Sequence, residues 1–256
     1  MTGRATLRTA ATQAGELRID HISKRFGGLR VFTDLSFTIA PAEVLGVIGP
    51  NGAGKTTLIN VICGRLRPSS GEIFLDGKPV AGKPVHALSR RGLVRSFQQT
   101  NTFKSATVRE NLSRAIRFSR SPTSIWDRLN ELLQQFDLAP RLDEPSDRLP
   151  YGLQKMLGLL LTYTTRPKVL LLDEPAAGLE RRERTLIDTF VKDVQADFGC
   201  SVLIVEHDME LIRRLCPRLL VLDAGNLLAE GTPVDVLSRR DVIDAYMGVG
   251  NDDEAA

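Results

Sequence analysis

The run Val44-Leu45-Gly46-Val47-Ile48-Gly49-Pro50-Asn51-Gly52-Ala53-Gly54-Lys55-Thr56-Thr57 decides the fold. Its first five residues include no polar side chain, as expected of a strand buried on both faces of a parallel sheet. Gly49 to Thr56 then has the spacing G-x-x-x-x-G-K-[ST] of a phosphate-binding loop, or P-loop. Glycines there let successive backbone N–H groups turn inward and form an anion nest. Leu58-Ile59-Asn60-Val61-Ile62-Cys63 follows with a helical apolar face, and the helix directs its positive end at the phosphates. Gly49, Asn51, Gly52, Ala53, Gly54, Lys55, Thr56 and Thr57 are therefore expected to line a nucleotide. Lys55 supplies a cation for the β- and γ-phosphates, and the Thr56 hydroxyl is expected to ligate Mg2+. A glycine-rich turn without nucleotide is the bland alternative. The strand before it and the helix after it argue against that.

Two more continuous apolar runs, Val169-Leu170-Leu171-Leu172 and Val202-Leu203-Ile204-Val205, also predict buried parallel strands. Each ends in polar residues, at the carboxyl edge where α/β sheets bind ligands. Asp173, closing the first run, would place a carboxylate near Mg2+, and the adjacent Glu174 would polarise a water for in-line attack on the γ-phosphate. Alone, this pair could be an ordinary acidic turn; after a P-loop it completes a nucleotide site. His207, in Val205-Glu206-His207-Asp208, falls on the same edge and is expected to hydrogen-bond the γ-phosphate or the attacking water. A purely structural histidine is the competing view.

The remaining pattern predicts an α/β mixed-sheet core with two additions. From Leu17 to Ile39 the texture is strand-like: Leu35, Phe37 and Ile39 alternate with polar residues, and Gly27-Gly28 marks a turn. Ile73-Phe74-Leu75 followed by Asp76-Gly77 reads as a hairpin. Between about Val108 and Thr165 no strand runs occur. Trp126, Leu129, Leu132, Leu133 and Phe136 recur at helical spacing, and Pro122, Pro140, Pro145 and Pro150 punctuate the stretch. This is a small helical subdomain, about 100–165, inserted into a single domain over 16–250. Residues 1–15 read as a disordered tail and 251–256 as a solvated acidic one.

Composition narrows the function classes. The 256 residues are 42% hydrophobic and 25% charged, ordinary for a soluble globular chain. A net charge of +3 is too mild for a nucleic-acid binder, so no nucleic-acid partner is expected. Three widely spaced cysteines fit neither a disulfide scaffold nor a zinc module. No uncharged apolar run approaches the ~18 residues of a membrane span. Work at a membrane would need other subunits.

Together these pieces resemble the ATP-binding subunits of ABC transporters, from about Leu17 to Gly248. The resemblance implies a P-loop NTPase (RecA-like) core with an N-terminal antiparallel β subdomain and the inserted helical subdomain. Gln98, in Arg95-Ser96-Phe97-Gln98-Gln99, matches the family's Q-loop, which senses Mg2+ and contacts the transmembrane subunit. Asp173-Glu174-Pro175-Ala176-Ala177-Gly178-Leu179 matches Walker B running into the D-loop, and His207 matches the switch histidine. Phe26, 29 residues before Lys55, sits where the family stacks an aromatic ring on adenine; a core phenylalanine is the alternative. Leu149-Pro150-Tyr151-Gly152-Leu153-Gln154 occupies the signature position, which acts in trans on ATP held by the opposite subunit. Within the family, the likeness is to branched-chain amino-acid, urea and amide uptake ATPases.

The resemblance implies an ATP-hydrolysing import motor using ATP and Mg2+. It would sit peripherally on the cytoplasmic face of the bacterial inner membrane, with two transmembrane permease subunits, a second ATPase subunit and, indirectly, a solute-binding protein. The solute would be small and polar, a branched-chain or related amino acid. A soluble ABC regulator or repair protein is the alternative function. Two departures stand out. The family signature begins Leu-Ser with a glutamine after its second glycine position, and Pro150 and Leu153 fill those places. After the D-loop leucine the family has Asp or Asn, whereas this chain has Glu180. Pro150 has neither hydroxyl nor N–H, so it weakens the partner's site and implies a heterodimer with a different ATPase subunit.

Overall fold

The computed structural model describes residues 15–96, 102–119 and 125–247. Gln98, residues 1–14 of the N-terminal tail and the 251–256 tail lie outside them. Chain order is β1 (Leu17–Phe26), β2 (Leu29–Ile39), β3 (Val44–Ile48), α1 (Lys55–Ile62), β4 (Ser70–Leu75), β5 (Lys78–Pro79), α2 (Val85–Ser89) and β6 (Leu93–Arg95). Three helices follow: α3 (Val108–Ser119), α4 (Ile125–Gln135) and α5 (Tyr151–Tyr163). The chain returns as β7 (Val169–Asp173), α6 (Arg181–Phe198), β8 (Ser201–Val205), α7 (Met209–Leu215), β9 (Arg218–Asp223), β10 (Asn226–Gly231), α8 (Pro233–Leu237) and α9 (Arg240–Met247).

A six-stranded sheet in the order β10-β9-β3-β8-β7-β6 forms the centre. Its pairings are parallel except at the β9–β10 edge, so the sheet is mixed. Alternate residues of each central strand enter different cores. Val44, Ile48, Leu170, Leu172, Val202 and Ile204 pack with α3 to α7. Leu45, Val47, Leu171, Leu203 and Val205 pack with α1 and a second sheet. Both faces are covered, which is why these strands read as unbroken apolar runs. Three such runs mark β3, β7 and β8 in the sequence; β6 and β9 are additional. Leu219-Leu220-Val221-Leu222 has the same unbroken character.

The second sheet is antiparallel, in the order β2-β1-β4-β5. Its Leu35, Phe37 and Ile39 point inward as the alternation requires. Gly27-Gly28 and Asp76-Gly77 make its two tight turns. Gly15, assigned from sequence to the tail, is buried, and its carbonyl accepts a 2.6 Å hydrogen bond from Ser201 Oγ.

Between β6 and β7 the described residues form helices and short 3-10 turns, with one isolated β-bridge, Thr107 to Pro145. Leu129, Leu132, Leu133 and Phe136 are fully buried, with Trp126 partly so. Pro150 is the N-cap of α5, a place where its missing N–H costs little. Among the described residues no helix is long and apolar enough to cross a membrane.

Candidate functional site

The P-loop leaves β3 at its carboxyl end and enters α1. Gly49 has φ 154°, and a Cβ there would lie 2.0 Å from the carbonyl oxygen of Leu222 on β9, so only glycine fits. Ala53 is buried, while Asn51, Gly52 and Thr56 are exposed and Gly54 and Thr57 half-buried. No side chain caps α1, and its first turn carries no acid. Its leading amides therefore remain available to an anion. Lys55 is buried, and its ammonium donates to the carbonyls of Gly49 at 2.8 Å and Pro50 at 2.9 Å. Burial pulls the Lys55 pKa below its ordinary value, partly offset by the charges of Glu174 and Asp173.

Phe26 ends β1 at the hairpin and is 46% exposed, which removes the alternative of a core phenylalanine. Lys24 Nζ stands 4.7 Å from its ring centroid. The hairpin reaches the P-loop through β2: a Cβ on Gly54 would meet Val31 at 3.2 Å.

Asp173 closes β7 with its side chain fully buried. Arg95 Nη2 donates to Asp173 Oδ2 at 2.6 Å, and the other oxygen, Oδ1, has no hydrogen-bond partner. Burial raises the Asp173 pKa, opposed by Arg95 and reinforced by Glu174. An orphaned buried carboxylate oxygen fits a divalent cation there. Among the described residues no cluster of three or more His, Cys, Asp or Glu forms a metal cage. A divalent cation carried by a nucleotide does not need one, because phosphate oxygens and water fill most positions.

Glu174 follows in the left-handed region, φ 48°, with its N–H on the Val205 carbonyl at 2.8 Å. Its Oε1 lies 3.2 Å from Nε2 of His207. Lys55, Asp173, Glu174 and His207 are thus gathered at the carboxyl edge of β3, β7 and β8.

Two buried charges that gave no motif signal hold this edge. Lys155, on α5, donates to the carbonyls of Glu174 at 3.3 Å, Pro175 at 3.1 Å and Ala177 at 2.5 Å. Glu206 accepts from Ala176 N–H at 2.7 Å, His207 N–H at 2.8 Å and Asp208 N–H at 3.2 Å. The turn carrying Glu174 is clamped from both sides. Arg95 was visible in sequence only as part of a string; its role appears when β6 is set beside β7.

The segment at the expected signature position opens α5. Pro150 and Tyr151 are exposed, Gly152 is buried, Leu153 is half-buried, and Gln154 Nε2 donates to the Leu149 carbonyl at 2.8 Å. Gly152 lies so close to Glu183 that a Cβ would fall 1.8 Å from its Oε1. Glu183 in turn completes a capping box with Glu180, the N-cap of α6. The departure at Glu180 thus keeps the capping function that Asp or Asn would serve.

Known proteins resemble this chain in sequence and fold. The family model described as ABC transporter matches residues 32–177. The high-affinity branched-chain amino acid transport ATP-binding protein BraF of Pseudomonas aeruginosa is 34% identical over 248 residues, spanning 91% of this chain and 97% of BraF. The lipopolysaccharide export system ATP-binding protein LptB of Escherichia coli K12 is 32% identical over 234 residues, with the same coverage. The crystal structure of an ATP-binding cassette of an ABC transporter in its ADP conformation superposes with a TM-score of 0.80 at 30% identity, covering 91% of this chain and 99% of that one. With a phosphate loop, an acidic strand end and a family match over more than half its length, this chain is an ATP-binding subunit of the ABC transporter family, whose ATPases hydrolyse ATP.

Proposed function

We propose that this subunit drives import of a small polar solute, a branched-chain or related amino acid. It would work as a peripheral motor on the cytoplasmic face of the bacterial inner membrane, bound to two permease subunits. The likeness to BraF supports this reading. The likeness to LptB favours a second one, export, through the same ATPase chemistry.

The observation that carries the mechanism is the gathering of Lys55, Asp173, Glu174 and His207 at one sheet edge. The amides of Gly52 to Thr57 and the Lys55 ammonium bind the phosphates. Phe26 stacks on adenine, worth ~1–3 kcal/mol. Thr56 and Asp173, with Gln98, would hold Mg2+, which supplies charge neutralisation on the β- and γ-phosphate oxygens. Glu174 accepts the proton of the attacking water, and His207 keeps the carboxylate oriented through the 3.2 Å contact. Pro150 removes a hydroxyl and an N–H from the surface offered to the partner's ATP, deleting charge-assisted bonds of ~1.5–3 kcal/mol each. A heterodimer with a different ATPase subunit leaves this chain's own site complete.

Glu174→Gln tests the reading. The amide keeps ATP binding but cannot act as base, so turnover falls by about 10²–10⁴. With ATP the variant should be trapped as a closed dimer with a co-expressed second ATPase subunit and remain monomeric alone, as read by size-exclusion chromatography. Full turnover in Glu174→Gln removes Glu174 from its role. Family-typical hydrolysis and ATP-dependent dimerisation by the unmodified chain alone remove the heterodimer.

A further inference from the structure

Arg95 ends β6 with 8% of its surface exposed, and its two terminal nitrogens serve different elements. Nη2 holds Asp173 Oδ2 at 2.6 Å, at the end of β7. Nη1 donates to Asn60 Oδ1 at 2.7 Å, on α1. Asn60 lies four residues after Thr56 on that helix, hence on the same side. The guanidinium therefore bridges the carboxylate at the strand end and the helix that presents the Thr56 hydroxyl. A planar fork can fix that separation; a lysine, a single point charge on a flexible stem, cannot.

The second observation is what the bridge leaves open. Asp173 is anchored by one oxygen while Oδ1, equally buried, has no partner. An unsatisfied carboxylate oxygen in the interior is costly, and a bound ion is one of the few things that account for such an exception.

We infer that Arg95 is a positioning residue for the nucleotide-bound metal. It fixes Asp173 by one oxygen and, through Asn60, sets the spacing between that carboxylate and the Thr56 helix, so that the pair is preformed for a divalent cation. The inference rests on the reading of Thr56 and Asp173 as the metal-holding pair.

The test separates metal binding from nucleotide binding in the full chain. Mn2+ affinity is measured by electron paramagnetic resonance with and without a non-hydrolysable ATP analogue, and analogue affinity is measured separately in EDTA. The unmodified chain is expected to bind Mn2+ more tightly when the analogue is present. Arg95→Met is expected to weaken Mn2+ binding by about ten- to a hundredfold while analogue affinity in EDTA stays unchanged. Arg95→Lys keeps the charge but loses the fork, and is expected not to restore the affinity. Asn60→Ala leaves the Arg95–Asp173 pair in place, so the buried carboxylate keeps its partner and the fold is spared; a smaller loss in the same direction is expected. Unchanged Mn2+ affinity in Arg95→Met overturns the inference, as does full rescue by lysine or an equal loss of analogue binding in EDTA. Should Arg95→Met fail to fold, unchanged affinity in Asn60→Ala overturns it instead. If the unmodified chain binds Mn2+ no better with the analogue, the metal-holding reading itself fails and takes the inference with it.

Discussion

Two arginines are buried among the described residues, and they are built differently. Arg128, on α4, spends its fork on carboxylates: Nε on Asp197 at 2.9 Å, Nη2 on Asp193 at 2.6 Å and Nη1 on Glu131 at 2.6 Å. Tyr163 Oη adds a 2.9 Å bond to Asp197 and Gln135 a 3.2 Å bond to Asp193. Burial alone would lower the Arg128 pKa, yet the surrounding carboxylates hold it above the ordinary arginine range. Arg95 meets one carboxylate, and both its own Nε and the far oxygen of Asp173 lack partners. A closed network fixes a geometry, here the junction of α4, α5 and α6. An open one retains capacity for a ligand. The first belongs to the fold, and the second is the one we assign to the chemistry.

That division can be broken most forcefully at Arg128. Arg128→Met leaves Asp193 and Asp197 buried without their cation, a loss of about 3–5 kcal/mol. It should appear as a large drop in the urea midpoint, with nucleotide affinity kept in whatever fraction remains folded. Arg95→Met strands only one buried carboxylate and should cost less stability. The reverse order would erase the distinction between the two networks.

Lys155 stands between the two types, since it is buried like Arg128 but its bonds end on the turn that carries Glu174. Lys155→Met leaves the carbonyls of Glu174, Pro175 and Ala177 short of a donor, at about 1–3 kcal/mol in stability. The sharper readout is kinetic: ATP hydrolysis should slow with nucleotide affinity unchanged, because Glu174, the proposed base, loses its backbone support. Loss of affinity with turnover intact would assign Lys155 to the P-loop instead.

The contrast also explains what sequence could reveal. Local physics marks its own positions: an apolar strand, a glycine loop and a Lys-Thr pair announce themselves within fourteen residues, Val44 to Thr57. The strand ends at Asp173-Glu174 and the 205–208 string were equally visible, because a buried parallel strand followed abruptly by acids has few other readings. The roles of Arg95, Lys155 and Glu206 were not. Each works through a partner distant along the chain, 78 residues away for Arg95 and Asp173 and 30 for Glu206 and Ala176. No periodicity encodes such pairings; they exist only once strand order sets β6 beside β7 and β7 beside β8. The exposure of Phe26 belongs to the same class. An aromatic at a hairpin end reads alike whether it faces core or solvent, until the register Phe26 to Leu29 places it at the tip.

The smallest expected effect sharpens the comparison by testing how closed the Arg128 network is. Tyr163 is fully buried, and its hydroxyl donates to Asp197 only while protonated. Burial raises its pKa, the Asp197 charge raises it further, and Arg128 opposes both. A group whose folded pKa exceeds its unfolded value contributes stability that is complete below the unfolded pKa and is lost as pH rises through the folded one. For tyrosine the loss therefore begins near pH ~10, the value of the free phenol. Tyr163→Phe removes one hydrogen bond while Arg128 still holds Asp197, so at neutral pH it should cost only about 0.5–1.5 kcal/mol. Above the phenol's ordinary pKa that cost should shrink, because the unmodified protein must keep Tyr163 protonated against solution. Urea midpoints of both proteins at pH 8 and at pH 10.5 measure the difference. A penalty that grows with pH would mean that the hydroxyl is not the buried donor of this network, and the network would then be no more closed than the one around Arg95.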